Sequence, residues 1–417
     1  MSGEKMNFNA TWSMAVGGMV GGGIFSVLGV IVHTAGQWAW LSFLIAGLIA
    51  LISAHSYSQL SIKYNEGGGA FTFLREINHK GFAGSLSWIL ILGYILTLSV
   101  YAFTFGHYVA HVFNAGSWLP RVLALIIIAI LAGVNLKGIG NASKVEIITV
   151  YGKLLVLLGL AIFGLVEWNP EQLTQGIDPK PWHMAIIGAG TIFMAYEGFQ
   201  LLSYDYSDLT NPDKTLPGAT RWAVISVIII YILVAIGTTM IVGAESLVEN
   251  KEIALSIAGK KALGTTGLVI VTIAAAFSTG SAVNATLFST ARLMESVAEK
   301  KDLPQLFAIE NRNKIPFYAV LGIAGISAFL AIIGSLSSLV DAASIIFLFT
   351  FGIVNLIAFR QKIKRRWISL AGAIGCGLAM IADIIVQLEN TPYAIIGLFL
   401  ISTAIFVFRP YLLKRIN

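Results

Sequence analysis

Two stretches of the chain hold residues whose types and spacing suit the binding of a small zwitterion. Gly17 to Val27, "GGMVGGGIFSV", has five glycines in eleven residues, and glycine is the poorest helix former after proline. "IFMAYEGFQ" places Glu197 and Gly198 inside an otherwise apolar run. If both stretches interrupt helices, each break frees backbone N–H groups on one side and C=O groups on the other. The N–H groups of Gly22, Gly23 and Ile24 are then expected to take a carboxylate. Carbonyls near Val20, Phe193, Met194, Ala195 and Glu197 are expected to take an ammonium. Glycine suits such a site because a side chain would hold the ligand off the backbone. The alternative for the first stretch is close helix packing, since Gly17/Gly21 and Gly18/Gly22 form G-x-x-x-G pairs. Glu197 either lines the site or accepts hydrogen bonds from unwound backbone.

The elements that position these stretches must cross a membrane. Of 417 residues, 57% are hydrophobic and 12% charged, about half the charge of a soluble domain. The apolar residues come in blocks long enough to span a hydrocarbon core. The fold class is therefore an all-α polytopic membrane protein. About twelve spans are expected, near 11–34, 39–62, 82–112, 119–136, 144–166, 183–206, 217–243, 266–297, 316–334, 337–360, 366–388 and 392–413. The interruptions fall in spans one and six, matching positions of two five-span repeats of inverted topology. The predicted units are 1–166 for helices one to five, 183–360 for six to ten, and 366–413 for eleven and twelve.

The opening "MSGEKMNFNATW" lacks a signal-peptide pattern, so the first spans are expected to direct insertion. With the N-terminus inside, 21 basic residues are cytoplasmic and five (Arg121, Lys180, Lys251, Lys260 and Lys261) are outside. That asymmetry predicts a multi-pass protein of the cytoplasmic membrane with both termini cytoplasmic. The net charge of +6 sits in short loops, without a basic face interleaved with aromatics, so nucleic acid is not an expected partner. Cys376, the single cysteine, reads as a buried hydrophobe, and no spacing suggests a metal centre, a cofactor or a catalytic pair.

Other polar or aromatic residues in the spans are weaker candidates. Tyr94, Thr97 and Tyr101 of span three, Asn284 and Phe288 of span eight, and Phe347 of span ten are candidates to shape a pocket or gate, with Asn284 a candidate substrate ligand. Packing is the alternative for each. Asp341 reads as a helix cap and Asp383 as a partner within the bundle, and neither is assigned a transport role.

The runs "MAVGGMVGGGIFSVLG", "NEGGGAFTFLRE", "IFMAYEGFQ" with "NPDKTLPGA", and "ARLMESVAEKKDLPQLF" resemble, in this order, motifs of the amino acid–polyamine–organocation superfamily of transporters. The resemblance implies a LeuT-like five-plus-five inverted repeat with helices one and six broken, alternating access, and amino acids or related amines as substrates. Two departures are Gln200, where many relatives carry an acid after the sixth-helix break, and Ala70, where an aromatic is frequent. Coupling schemes that use the missing carboxylate therefore do not transfer. In sodium-coupled transporters of this fold an ion lies between helices one and eight. Some proton-coupled members place a fifth-helix lysine there, and Lys153 matches that position. The resemblance then implies that its ammonium donates to first-helix carbonyls and to hydroxyls such as Ser278 or Ser281. Snorkelling toward the headgroups is the alternative.

The expected function is amino acid transport coupled to protons, with an amino acid or polyamine exchanger as the alternative. A membrane-embedded enzyme, the reading from another class, lacks convergent catalytic groups.

Overall fold

The structure is a computed structural model that describes residues 5–65, 67, 69–77, 79–113, 116–138, 143–390 and 392–416. Glu66 and Gly68, within the second of the motifs above, lie outside the described residues.

The chain is helical almost throughout. The helices are α1 (Phe8–Ala35), α2 (Ala39–Tyr64), α3 (Gly69–Glu76), α4 (Lys80–Phe113), α5 (Leu119–Leu136) and α6 (Ser143–Val166). After them come α7 (Met184–Thr191), α8 (Pro212–Val242), α9 (Ala244–Glu249) and α10 (Ala254–Glu299). The last four are α11 (Phe317–Ile333), α12 (Leu336–Arg360), α13 (Arg366–Asn390) and α14 (Pro392–Ile416). The expected spans map onto these with small shifts at their ends. The eighth span follows the non-helical Leu263 and Gly264 (φ 64°), close to its expected start, and Ala254–Ala262 before them is a short separate helical stretch. Among the described residues, eight stretches are long and apolar enough to cross a membrane, α1 and α2 counting as one, and α11 and part of α14 are shorter apolar helices.

Burial divides the helices into a core and a lipid-facing shell. Every residue of α1 from Met19 to Val32 is buried, and α1 packs against α8, α10, α6 and α4. A helix apolar and covered all round belongs to the centre of a bundle. In contrast, α6 exposes Ile148, Leu155, Ile162 and Val166, and α13 exposes Leu378, Ile381 and Ile385. Such stripes would be costly in water and are at home against lipid.

One expectation about α1 is overturned. It is a single uninterrupted α-helix, so its glycine run does not break it. The reason is packing. A Cβ on Gly18 would stand 3.0 Å from the Gly198 Cα, one on Gly21 2.8 Å from the Ala282 Cβ, and one on Gly23 2.4 Å from the Tyr231 hydroxyl. The bare glycines let neighbours approach α1 closely from different sides, and that gain outweighs the poor propensity of each glycine.

The sixth span is interrupted, as expected. The α-helix stops at Thr191 and continues as short 3-10 turns over Phe193–Tyr196, Phe199–Ser203 and Tyr206–Asp208. Between the first two, Glu197 is extended (ψ 138°) and Gly198 has φ 136°. That φ excludes an ordinary side chain, and the space excludes one too: a Cβ there would lie 2.6 Å from Gly18 C and Met19 N. The break is thus seated on the glycine face of α1.

Candidate functional site

The interrupted segment, α1, α4, α8 and α12 converge on a buried polar cluster. At its centre Glu197, 2% exposed, accepts a hydrogen bond from Gln200 Nε2 (2.8 Å) and lies 3.5 Å from the Tyr101 hydroxyl. Gln200 also donates to the Tyr94 hydroxyl (3.2 Å) and accepts from Gly198 N (2.8 Å). The amide that departs from the family pattern is therefore the clamp on the break. Tyr94, Thr97 and Tyr101 lie at helical spacing on one face of α4. Thr97 is fully buried and its Oγ1 has no hydrogen-bond partner, an orphan hydroxyl between two tyrosines of the cluster.

Hydroxyls on neighbouring helices hold the backbone of both segments. The Tyr231 hydroxyl of α8 stands between Met19 O (2.7 Å) and Ala195 O (3.0 Å). Ser344 of α12 donates to Thr191 O (2.6 Å) and accepts from Met194 N (3.0 Å), so it satisfies the break on both sides of Ile192 and Phe193. On α1, Ser278 Oγ donates to Val20 O (2.9 Å) and Ser26 Oγ to Gly22 O (2.7 Å). Unpaired backbone groups at membrane depth cost several kcal/mol, so such partners are what allow the interruption.

The expected ligand set is altered at several points. The N–H groups of Gly22, Gly23 and Ile24 lie within continuous helix and are not presented to a carboxylate. The Tyr101 ring occupies the notch at Gly22, where a Cβ would come within 1.9 Å of Cδ1. The carbonyls of Val20 and Ala195 receive protein hydroxyls, and Met194 O accepts from Glu197 N (3.0 Å). Asn284 is not part of the cluster: its Oδ1 accepts from Asn135 of α5 (2.7 Å). Ala282 is the α10 residue packed on Gly21, and two residues further along a helix turn the side chain about 200° away. Phe347 packs against Tyr94 (5.5 Å between centroids) and Phe351 behind the break. Phe288 is outside it, on a cavity of about 370 Å³ with Phe71, Tyr204, Asp205 and Arg292.

That cavity opens on the side of the bundle where α1 begins. Tyr204, on its wall, stands between it and the cluster, where Tyr94 holds Gln200. On the opposite side a cavity of about 380 Å³ is lined by His107, His111, Glu249 and Glu252. It is closed off where the Tyr108 hydroxyl donates to Phe25 O (3.2 Å) and accepts from Leu255 N (3.4 Å). The cluster is closed on both sides, between two vestibules.

Lys153 is also buried, 3% exposed, and its Nζ donates to Gly17 O (3.0 Å). The side chain does not snorkel. It ends on α1 one turn before Val20, whose carbonyl Ser278 holds, while Ser281 is half-buried one turn further along α10. Gln200, Tyr231, Ser344 and Ser26 are site residues not singled out for these roles in the sequence. The signal there was a lone polar group in an apolar run and, for Gln200, its departure from the superfamily pattern.

A bundle with an interrupted helix seated against a central one, and a polar cluster closed between two vestibules, is the architecture of a membrane transporter. The chain belongs to the amino acid permease family, whose model matches residues 6–411, and so to the amino acid–polyamine–organocation superfamily of transporters rather than to enzymes. It is 30% identical over 346 residues to an uncharacterized protein of Methanocaldococcus jannaschii, covering 82% of this chain and 78% of that one. It is 27% identical over 361 residues to the serine/threonine exchanger SteT of Bacillus subtilis, covering 83% and 80%. The crystal structure of a manganese transporter of Eremococcus coleocola superposes with a TM-score of 0.63 over 98% of this chain and 95% of that one, at 12% identity. At that identity the likeness shows the shared LeuT-like fold alone.

Proposed function

We propose that this protein carries an amino acid across the cytoplasmic membrane by alternating access, coupled to protons, with both termini cytoplasmic. The observation that carries the reading is the Glu197 cluster, in which a helix break, three tyrosines or threonines of α4 and a clamping glutamine meet between two vestibules. The substrate ammonium is assigned to Glu197 and the neighbouring carbonyls of the break. Its carboxylate is assigned to the Thr97 hydroxyl and the Tyr101 side, once Tyr101 leaves the Gly22 notch. Residues 1–166 and 183–360 are the two inverted repeats in this reading.

Proton coupling is assigned to Lys153. Its buried ammonium bonds a carbonyl of α1 close to the break, and loss of that charge would release the bond. An ionisable side chain at membrane depth is costly to keep, and such groups mark ion pathways and proton relays. Purified protein in liposomes should accumulate labelled amino acid under an inward proton gradient. Uptake indifferent to pH or dependent on sodium overturns the coupling.

Exchange is the second reading, favoured by the likeness to a serine/threonine exchanger. Counterflow without any gradient, at a rate equal to gradient-driven uptake, would establish it. Manganese belongs to the structural relative. Among the described residues no three His, Cys, Asp or Glu gather as a metal group.

A further inference from the structure

Two buried carboxyl groups lie apart from the Glu197 cluster. Asp341 is the sixth residue of α12, not its cap, which is Ser335. It is 4% exposed, and Asp383 of α13 is fully buried. Thr191 brings them to one place, its hydroxyl on Asp383 and its carbonyl on Ser344, one turn after Asp341, and each acid keeps one oxygen, Asp341 Oδ1 and Asp383 Oδ2, without a hydrogen-bond partner. Two like charges facing each other away from water are strongly disfavoured. A buried carboxylate oxygen left unpaired adds its own desolvation cost.

The surroundings set the number of charges. Lys251, from the connection before α10, is the cation facing Asp341, and its Nζ lies 3.4 Å from Ser337, one helical turn before Asp341. His33 of α1 and Lys180 stand beyond Lys251 on the same side. Around Asp383, α7 contributes the Thr191 hydroxyl, which donates to Oδ1 (2.8 Å), and α13 contributes Gln387. One proton on the pair leaves one carboxylate opposite one lysine, a neutral group, and supplies a hydrogen that the two orphan oxygens lack. We propose that Asp341 and Asp383 form a proton-binding site that holds one proton for the pair.

The site is wired to the break. Thr191, which donates to Asp383, is the last residue of α7, and its carbonyl receives Ser344, which in turn accepts from Met194 N. Gly190 brings α7 against α13, since a Cβ there would lie 2.8 Å from the Asp383 Cβ. Charge on Asp383 therefore acts on the end of α7 next to the substrate cluster. This inference does not depend on Lys153, and a proton here would be counted separately.

Infrared difference spectroscopy of the lipid-reconstituted protein in potassium buffer, titrated from mildly acidic to mildly alkaline pH, tests it. A deuterium-sensitive carboxylic-acid C=O band is expected, lost in Asp341→Asn and in Asp383→Asn and retained in Glu197→Gln. Thr191→Val keeps both acids and should shift the band, so the test survives if an asparagine variant does not fold. A band that persists in either asparagine variant, or does not move in Thr191→Val, overturns the proposal. So does a band that disappears when sodium replaces potassium, which would make the pair a cation site. The spectrum is read without transport, so its failure is distinct from failure of the transport reading.

Discussion

The ring of Tyr101 stands where a side chain on residue 22 would have to be, with a Cβ at that position only 1.9 Å from Tyr101 Cδ1. The glycine of α1 and the tyrosine of α4 are thus complementary surfaces, and the same tyrosine reaches Glu197 across the cluster. Gly22→Ala is expected to displace Tyr101, costing about 1–3 kcal/mol by overpacking. Uptake should fall at least ~10-fold, which corresponds to about 1.4 kcal/mol. Gly22→Ala combined with Tyr101→Ala relieves the clash, so its thermal stability should recover toward that of Tyr101→Ala alone. Melting curves that show no recovery would refute the complementarity.

Gly198 is constrained twice, by a φ of 136° and by Gly18 behind it. Gly198→Ala should destabilise the detergent-solubilised protein by about 1–3 kcal/mol, read as a lower melting temperature. Because Gly18 already lacks a side chain, no substitution at position 18 can make room. An unchanged melting temperature and unchanged uptake would show that the break can be built otherwise.

Ser344 serves Thr191 O and Met194 N together. Ser344→Ala leaves both groups without that hydroxyl, at about 1–3 kcal/mol for a buried unsatisfied donor. Substrate binding should weaken, seen as a raised KM for uptake, while Ser344→Thr retains the hydroxyl and should keep more of the activity. Equal KM values for both variants and the parent would count against the role.

Lys153→Gln removes the charge and keeps a donor of shorter reach. In liposomes it should lose acceleration by an inward proton gradient, by ~10-fold or more, yet retain counterflow. Sensitivity to the gradient equal to that of the parent would remove Lys153 from the coupling scheme.

Asp302, in the connection after α10, joins Arg75 of α3 (2.5 Å) and Arg409 of α14. Arg409 is buried and also donates to Gly81 O (3.0 Å). Asp302→Asn leaves two guanidinium groups facing each other without their carboxylate, and a loss of about 3 kcal/mol is expected. Thermal unfolding of the variant at low and high salt checks this, the loss shrinking as salt screens the two cations.

Much of the architecture was legible along the chain because hydrophobic length fixes what can cross a membrane. The positions of the spans and the interruption at Glu197–Gly198 needed no tertiary information. A carboxylate in an apolar run must face a polar interior, and the glycine beside it weakens the helix at that depth. Lys153 stood out for the same reason of charge. The glycine run of α1 did not resolve this way. Low propensity and close packing leave the same residues in the sequence, and only the arrival of Tyr101, Tyr231, Ala282 and Gly198 against the glycines from different sides distinguishes them. Asn284 shows the limit from another direction: its polarity marked it, but the rotation of α10 turned it to Asn135.

By itself, then, the sequence determined an all-helical membrane bundle, an interrupted sixth span and the buried charges that burial must compensate. The tertiary structure alone decided that α1 is continuous, that Gln200 clamps Glu197, and that Thr191 joins Asp383 to Ser344. Hydropathy and propensity act on each segment separately and can be read locally. Which hydroxyl meets which carbonyl depends on the mutual rotation and depth of helices far apart in the chain, and that is set only when they pack.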